Sequence, residues 1–252
     1  MKSLKEIADH SYLSSEDLVT LYENILGTGY MTREKIVEEI EHFTVGLNID
    51  AYYFETTPID EMTGHLLAAS ASRLAAEFGG DDVGIGLISE REDRAVYLVE
   101  QSRILEIEER IEKKYSGYRL ESYRTGEDSG LRLCILTKPV FENACKAGRP
   151  GAFSDCASKA FLETSAPETI SRYEQAWEWM GHRVAPYISV TEKAGTGETR
   201  IMVGIQGRST TFLSGFTRLL KKYGTHSNRK YMEPFHDEKR VFSFYFNRLD
   251  KS

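Results

Sequence analysis

The stretch RIMVGIQGRSTTFLSGFTRLLKKYGTHSNRKYMEPFHDEKRVFSFYFNR, from Arg200 to Arg248, decides the fold. At its start, isoleucine and valine side chains alternate with other residues, a period that is typical of a strand with one buried face. Apolar residues then recur at helical spacing from Phe212 to Tyr223, and Gly224 marks the end of that helix. Two aromatic-rich runs surround a polar turn, so the stretch predicts a strand, a helix and a β-hairpin.

The same stretch predicts its own core. A further strand is expected just before it, at Tyr187–Lys193, and the hairpin strands are expected at Ser227–Phe235 and Arg240–Arg248. Aromatic side chains on one face of the last strand lie opposite the apolar stripe of the helix, which indicates a core between two layers. The phenylalanines of this predicted core are Phe212 and Phe216 on the helix and Phe242, Phe244 and Phe246 on the strand.

A similar pattern occurs earlier in the chain. The run Ile49–Thr57 is rich in aromatic and β-branched residues and predicts a strand, and a helix is expected after Pro58. Two strands, a helix and two strands then follow, with the strands at Gly84–Ser89, Ala95–Gln101, Tyr118–Arg124 and Leu131–Thr137. The order β-α-β-β-α-β matches a ferredoxin-like unit. We therefore expect an α+β fold of two ferredoxin-like two-layer modules with antiparallel sheets, preceded by two short helices.

Four segments follow from this interpretation. They are an N-terminal helical segment at 1–48, a first module at 49–140, a linker and helix at 141–183, and a second module at 184–252. Ser14 and Thr32 are residue types that favour the start of a helix, which predicts the two opening helices. The second module stops before the last helix and strand of a ferredoxin-like unit, so we expect it to be incomplete or permuted.

Charge and hydropathy exclude several classes of protein. The formal net charge is −7 and the basic residues occur in small clusters, whereas a nucleic-acid-binding protein usually has a basic face. The apolar runs are far shorter than the roughly 20 residues that span a bilayer, and the start lacks the apolar run of a secretory signal. We therefore expect a cytoplasmic protein with no nucleic-acid or membrane partner. The acidic residues Glu106, Glu108 and Glu109 indicate a solvated helix face.

Cysteine and histidine residues predict neither a disulfide framework nor a metal site. The three cysteines are widely spaced and form no C-x-x-C pair. Cys134 lies in the apolar run LRLCILT and is expected to be a buried hydrophobic residue, whereas Cys145 and Cys156 are expected to be reduced thiols. The six histidines are scattered, and no carboxylate–histidine spacing recurs, so we expect no metal.

The sequence motifs of nucleotide binding and catalysis are missing. Gly84-Ile-Gly86 fits only the opening of the dinucleotide-binding fingerprint, because Ser89 stands where the third glycine should be and a charged turn follows. There is no Walker sequence, no H-E-x-x-H and no G-x-S-x-G. We therefore expect no catalytic residue and no cofactor in this chain.

Two strand-to-helix corners carry the candidate ligand-binding residues. They are Thr57, Asp60, Gly64 and His65 in the first corner, and Gly207, Arg208, Ser209 and Thr210 in the second. The first corner is acidic and suits an ammonium group. The second combines a flexible backbone, a cation and hydroxyls at a helix start, where free N–H groups attract carboxylates and phosphates. Simple helix capping is the alternative for both corners.

One segment resembles a known family. The runs Lys222-Tyr-Gly-Thr-His-Ser-Asn-Arg-Lys-Tyr231, Glu233-Pro-Phe235 and Val241-Phe-Ser-Phe-Tyr-Phe-Asn247 resemble part of the N-terminal region of large NAD-specific glutamate dehydrogenases. The resemblance is specific over roughly Phe212–Asn247, is looser over the first module and does not extend to the opening helices. In that family the region precedes the catalytic domains and is built of ACT-like modules, which are ferredoxin-like units that often sense amino acids and pair edge to edge.

The resemblance implies a role without chemistry of its own. Under it, the chain is the non-catalytic N-terminal part of an enzyme that oxidatively deaminates glutamate to 2-oxoglutarate with NAD, and it acts in regulation or oligomer assembly. No catalytic residue of the family carries over, so NAD is expected only in the parent enzyme. The implied partners are an amino-acid effector, further copies of the chain in a homo-oligomer, and the dehydrogenase domains of the same chain.

Two other functions stay open at this point. One is a stand-alone module that senses an amino acid or binds another protein through its sheet edges. The other is a small enzyme that uses Asp60, Glu61 and His65 of the first corner as acid–base groups.

Overall fold

The computed structural model of the chain describes most of its length. The described residues are 3–77, 85–125, 131–142, 151–192, 197–207 and 211–247. The chain divides into a first unit, Met1–Ile104 with Tyr123–Cys134, and a second unit, Leu105–Ser122 with Ile135–Ser252. Arg208, Ser209 and Thr210 of the second predicted corner lie outside the described residues, as does Cys145.

The first unit is mainly helical. Its helices are α1 Leu4–Ala8, α2 Ser15–Thr28, α3 Arg33–Glu41, continued by a π-helical turn at His42–Gly46, α4 Ala51–Thr56 and α5 Ile59–Glu77. Its strands are β1 Ile85–Glu90 and β2 Arg94–Glu100. It also contains part of β3 Arg119–Arg124 and part of β4 Leu131–Thr137. The strand order in this unit is β1-β2-β4-β3, and β1 pairs antiparallel with β2.

The predicted helix starts of the N-terminal segment are confirmed. Ser14 caps α2 in a capping box, because its hydroxyl accepts from the Asp17 N–H while the Asp17 carboxylate accepts from the Ser14 N–H. Thr32 caps α3 by accepting from the Lys35 N–H. Gly29 ends α2 with a φ of 70°, in the left-handed region that favours glycine. Helix α1, which Ser3 caps, was not predicted from the sequence.

The strand predicted at Ile49–Thr57 is wrong. Most of this run is helix α4, since the Asp50 carboxylate accepts from the Tyr52 N–H and starts a helix at Ala51. Tyr53 and Phe54 are neighbours in sequence and both are buried, which a strand with one buried face does not allow. The first module therefore lacks its opening strand, and two ferredoxin-like modules are not confirmed.

The second unit contains helices α6 Ile104–Lys114, apart from its first residue, α7 Phe153–Cys156, α8 Lys159–Thr164, α9 Pro167–His182 and α10 Phe212–Lys222. Its remaining strands are β5 Tyr187–Glu192, β6 Thr199–Gln206, β7 Arg229–Pro234 and β8 Lys239–Phe246. The strand order in this unit is β3-β7-β8-β6-β5, with antiparallel pairs β7–β8, β8–β6 and β6–β5. The α+β class with an antiparallel sheet is thus confirmed.

The predicted aromatic core lies between α10 and β8. The Phe212 ring is 4.6 Å from the Phe242 ring, and the Phe216 ring is 4.4 Å from the Phe244 ring, measured between centroids. The predicted stripe does not continue to the end of the helix, because Tyr223 is 74% exposed. The core therefore rests on the first two turns of α10.

The sheet of the second unit is covered on both faces, so the two-layer prediction is wrong there. Successive residues of β8 point to opposite faces. Phe242 and Phe244 face α10, whereas Val241 and Ser243 face α9, where the Ser243 hydroxyl bonds the Tyr173 hydroxyl at 2.8 Å. The stretch predicted as a linker supplies part of this second cover, because Phe153 of α7 and Phe161 of α8 pack against α9.

One cysteine prediction is confirmed and another is wrong. Cys134 is a buried thiol that forms no disulfide, as expected. Cys156 is disulfide-bonded, so the expectation of a reduced thiol is wrong for this residue. Within the described ranges, no helix combines the length and the apolar character that crossing a membrane requires.

Candidate functional site around His65

His65 of α5 belongs to the first predicted corner, and its pKa is strongly shifted. It is buried, and both ring nitrogens have close partners. Nδ1 lies 2.7 Å from the Tyr53 hydroxyl on α4, and Nε2 lies 3.1 Å from Arg94 Nη2 on β2. Three elements of the first unit therefore fix the orientation of the ring.

The surroundings keep the His65 imidazole neutral. Burial, and to a smaller extent the positive charge of Arg94, lower the pKa of His65 from 6.5 to about 3. A guanidinium has only donors, so Nε2 must accept from Arg94. The proton then sits on Nδ1, which donates to the Tyr53 hydroxyl oxygen. A histidine held in this way is a poor general base near neutral pH.

The two acidic residues of the corner have different partners. Glu61 Oε2 accepts from Arg94 Nη2 at 2.9 Å, so Glu61, Arg94 and His65 form a chain of contacts. Asp60 Oδ1 instead accepts from Asn24 Nδ2 at 3.0 Å. The structure therefore brings Glu61 to His65 through an arginine, and it directs Asp60 to helix α2.

Thr57 and Gly64 have local roles. Thr57 is the C-cap of α4, and its N–H donates to the Tyr53 carbonyl at 3.0 Å. Gly64 lies inside α5, and a Cβ added there would meet nothing within 4 Å. Glycine is therefore not required at position 64 by a close approach of other atoms. Whether either residue contacts a ligand remains a prediction.

The second predicted corner is described only in part. Gly207 has a φ of 87°, which favours glycine, and its N–H donates to the Glu238 carbonyl at 3.1 Å. The start of α10 is already occupied by a carboxylate of the same unit. Glu112 on α6 accepts from the Leu213 N–H at 2.5 Å, the Ser214 N–H at 3.3 Å and the Ser214 hydroxyl at 2.7 Å. An acid at a helix N-terminus is favourable because it satisfies free N–H groups and the helix dipole.

Three residues that make these contacts were not predicted from the sequence: Tyr53, Arg94 and Glu108. Tyr53 fell in a run predicted as a strand, and Arg94 followed a charged turn. Glu108 was assigned to a solvated helix face, but it is 1% exposed and accepts a hydrogen bond from Lys230 of β7. The available signal was the apolar stripe of α6, on which Glu108 and Glu112 lie next to Ile107 and Ile111.

Comparison with known proteins decides the family. Residues 85–252 match the family model described as NAD-specific glutamate dehydrogenase, second domain. The chain belongs to this family. The match extends the resemblance noted from Phe212 to Asn247 over both units, because it begins at residue 85 in strand β1. No solved structure matches the chain at a significant level.

Three curated relatives carry related names. The "Probable NAD-specific glutamate dehydrogenase" of Schizosaccharomyces pombe is 28% identical over 84% of this chain and 22% of its own length. The "NAD-specific glutamate dehydrogenase" of Neurospora crassa is 25% identical over 88% of this chain and 24% of its own length. "Glutamate dehydrogenase 2" of Dictyostelium discoideum is 21% identical over 85% of this chain and 26% of its own length. The chain thus spans about a quarter of the length of these relatives.

Proposed function

We propose that this chain is a non-catalytic region of a large NAD-dependent glutamate dehydrogenase and that it acts in regulation or assembly. The parent reaction is the oxidative deamination of glutamate to 2-oxoglutarate in the cytoplasm, with NAD bound elsewhere in the parent protein. The observation that carries the proposal is the match of residues 85–252 to a family model described as the second domain of this enzyme. The limited share of the relatives' length, 22–26%, supports assigning the reaction to the parent enzyme.

The geometry around His65 argues against the small-enzyme alternative. An acid–base group works best when its pKa lies near the working pH. Burial places the pKa of His65 at about 3, and both ring nitrogens are already bonded. An NMR titration of the His65 ring tests this point: we expect no protonation between pH 5 and 8, and a midpoint near 6.5 would restore the alternative.

A direct assay tests the non-catalytic assignment. The 252-residue chain alone should not reduce NAD in the presence of glutamate. A full-length glutamate dehydrogenase of the family, assayed side by side, supplies the positive control. Turnover by the chain alone, above that of a heat-denatured sample, would overturn the assignment.

Two binding measurements separate regulation from assembly. Calorimetry with a panel of amino acids tests sensing, and sedimentation over a wide range of chain concentration tests self-association. Heat with any amino acid supports an effector-binding role, and a concentration-dependent mass supports assembly. A chain that stays monomeric and gives no heat with any amino acid would contradict the proposal.

A further inference from the structure

Two arginines of the second unit flank one tyrosine across three strands. Arg200 of β6 pairs with Tyr245 of β8, and Arg229 of β7 pairs with Tyr245 from the other side. Residues paired across antiparallel strands lie on the same face of the sheet. That face is the one covered by α9, since Ser243, two residues before Tyr245, bonds Tyr173 of α9. The Arg229 guanidinium lies 4.7 Å from the centre of the Tyr245 ring.

Helix α9 adds a third arginine to this place. Arg172 precedes Tyr173, and its charge interacts with Arg200 and with Tyr245. Burial lowers the pKa of Arg172, and the positive charge of Arg200 lowers it further, partly offset by Tyr245. Two guanidinium groups are therefore close enough to repel each other. We call Arg172, Arg200, Arg229 and Tyr245 the arginine cluster.

Two of these arginines are bonded to hydroxyl groups rather than to carboxylates. Arg172 Nη2 donates to the Thr169 hydroxyl at 2.8 Å, and Arg200 Nη2 donates to the Thr191 hydroxyl at 2.8 Å. Within the described part of the chain, neither forms an ion pair, and the Nε of each is buried without a hydrogen-bond partner. Buried donors of this kind are normally satisfied. The cluster therefore has donors and charge to offer to a ligand.

Two acidic residues of the described chain act on the arginine cluster. Arg229 is paired with Glu198, and Glu168 in the first turn of α9 acts on Arg172 only at a distance. These two carboxylates act on Arg229 and Arg172, whereas Arg200 bonds the Thr191 hydroxyl. Arg172, Arg200 and Tyr245 are half-buried, so a ligand from solvent can reach them.

We propose that the arginine cluster binds a small anion through a carboxylate or phosphate group. Guanidinium groups present paired donors that match both of these groups, and converging arginines are typical of such sites. An anion placed between Arg172 and Arg200 removes their mutual repulsion. The tyrosine supplies a hydroxyl and a ring face beside the anion. This site lies apart from both corners predicted from the sequence, and it does not depend on the proposed regulatory function.

Calorimetry on the full chain tests the site with two probes. Inorganic phosphate represents a phosphate group and succinate represents a carboxylate, both at constant ionic strength set with sodium chloride. We expect saturable binding of at least one probe at one site per chain. The probe that binds more tightly identifies the group, and either result supports the proposal. Absence of saturable binding with both probes would overturn it.

Matched variants locate the binding. Arg172→Gln and Arg200→Gln should each raise the dissociation constant at least tenfold, whereas Arg218→Gln should leave it within twofold. Arg218 is a suitable control because it is an exposed arginine of the same unit, paired with Glu109 on the opposite face of the sheet. Thermal melting confirms that each variant is folded before titration. An equal loss of affinity in Arg172→Gln and Arg218→Gln would show that binding depends on overall charge and would reject the site.

Discussion

The two faces of the sheet in the second unit hold charge in different ways. On the α10 face, Lys230 is 2% exposed and donates to Glu108 on α6 and to the Thr217 hydroxyl on α10. On the α9 face, Arg172 and Arg200 are half-buried and bond only hydroxyl groups among the described residues. Burying a charge without a partner is costly, so the first arrangement is complete by itself and the second is completed by a ligand. The comparison separates a buried charge whose partner belongs to the same unit from half-buried charges whose proposed partner is an anion.

The largest effect is expected from breaking the ion pair between Lys230 and Glu108. Lys230→Met leaves the Glu108 carboxylate buried without its cation, and breaking a buried pair in this way costs about 3–5 kcal/mol. Urea unfolding of the chain measures this loss. The double variant Lys230→Met with Glu108→Met removes both charges and should recover most of the stability. A double variant no more stable than Lys230→Met would contradict the account.

A second effect concerns a carboxylate on the α9 face that has one cation for a partner. Burial raises the pKa of Glu233 to about 7, although Arg119 Nε at 3.1 Å and the Ser158 hydroxyl at 2.6 Å act in the opposite direction. Because the folded pKa is above the unfolded value of 4.5, the stabilising contribution is complete below pH 4.5 and is lost as the pH rises through 7. The loss is at most on the order of 3 kcal/mol.

The variant Glu233→Gln isolates that contribution. Its free energy of unfolding should fall less than that of the unmodified chain between pH 5 and 8, because glutamine does not ionise. Chemical unfolding at several pH values measures the two curves. Parallel curves over this interval would mean that Glu233 is ionised in the folded protein throughout, contrary to the expectation.

A smaller loss is expected at the start of α10. Glu112→Gln replaces one acceptor oxygen by a donor that faces the N–H groups of Leu213 and Ser214, and the lost charge-assisted bonds are worth about 2 kcal/mol. Glu109→Gln is the control, because Glu109 is exposed and its pair with Arg218 should contribute under about 1 kcal/mol. Similar unfolding midpoints for the two variants would contradict the role given to Glu112.

The smallest effect is expected from removing one arginine of the arginine cluster. Arg172→Gln removes one of two repelling charges, so without ligand its free energy of unfolding should stay within about 0.5 kcal/mol of the original value or rise slightly. Urea unfolding in a buffer free of phosphate and carboxylates measures the change. A loss as large as that of Lys230→Met would show that Arg172 is a structural residue with a partner of its own.

Local patterns made part of the fold predictable. The strand at Leu131–Thr137 and the contacts of Phe212 and Phe216 with the last strand follow from short-range periodicity, and the structure confirms both. Helix α4 was missed because its aromatic composition suggested a strand, while the Asp50 cap decided for a helix. The second cover of the sheet was missed because α7 and α8 are short and lie in a run rich in small residues.

The candidate sites depended more on long-range contacts. The first corner lies at a helix start, as predicted, but it joins helices α4 and α5 rather than a strand and a helix. Arg94, which donates to His65 Nε2, lies 29 residues away in sequence. The arginine cluster is less visible still, because Arg172, Arg200 and Arg229 belong to a helix and two strands that meet only through the strand register. No short sequence motif predicts that these three arginines lie close together.

The most direct test of the central claim measures stability in increasing phosphate at constant ionic strength. Binding to the folded state should raise the free energy of unfolding by about 1.4 kcal/mol for each tenfold increase in phosphate above its dissociation constant. Phosphate also stabilises proteins generally, so Arg200→Gln provides the baseline. The account predicts a clear rise for the unmodified chain over that baseline. Equal rises in the chain and in Arg200→Gln, with phosphate and with succinate alike, would contradict the claim that the arginine cluster is completed by an anion.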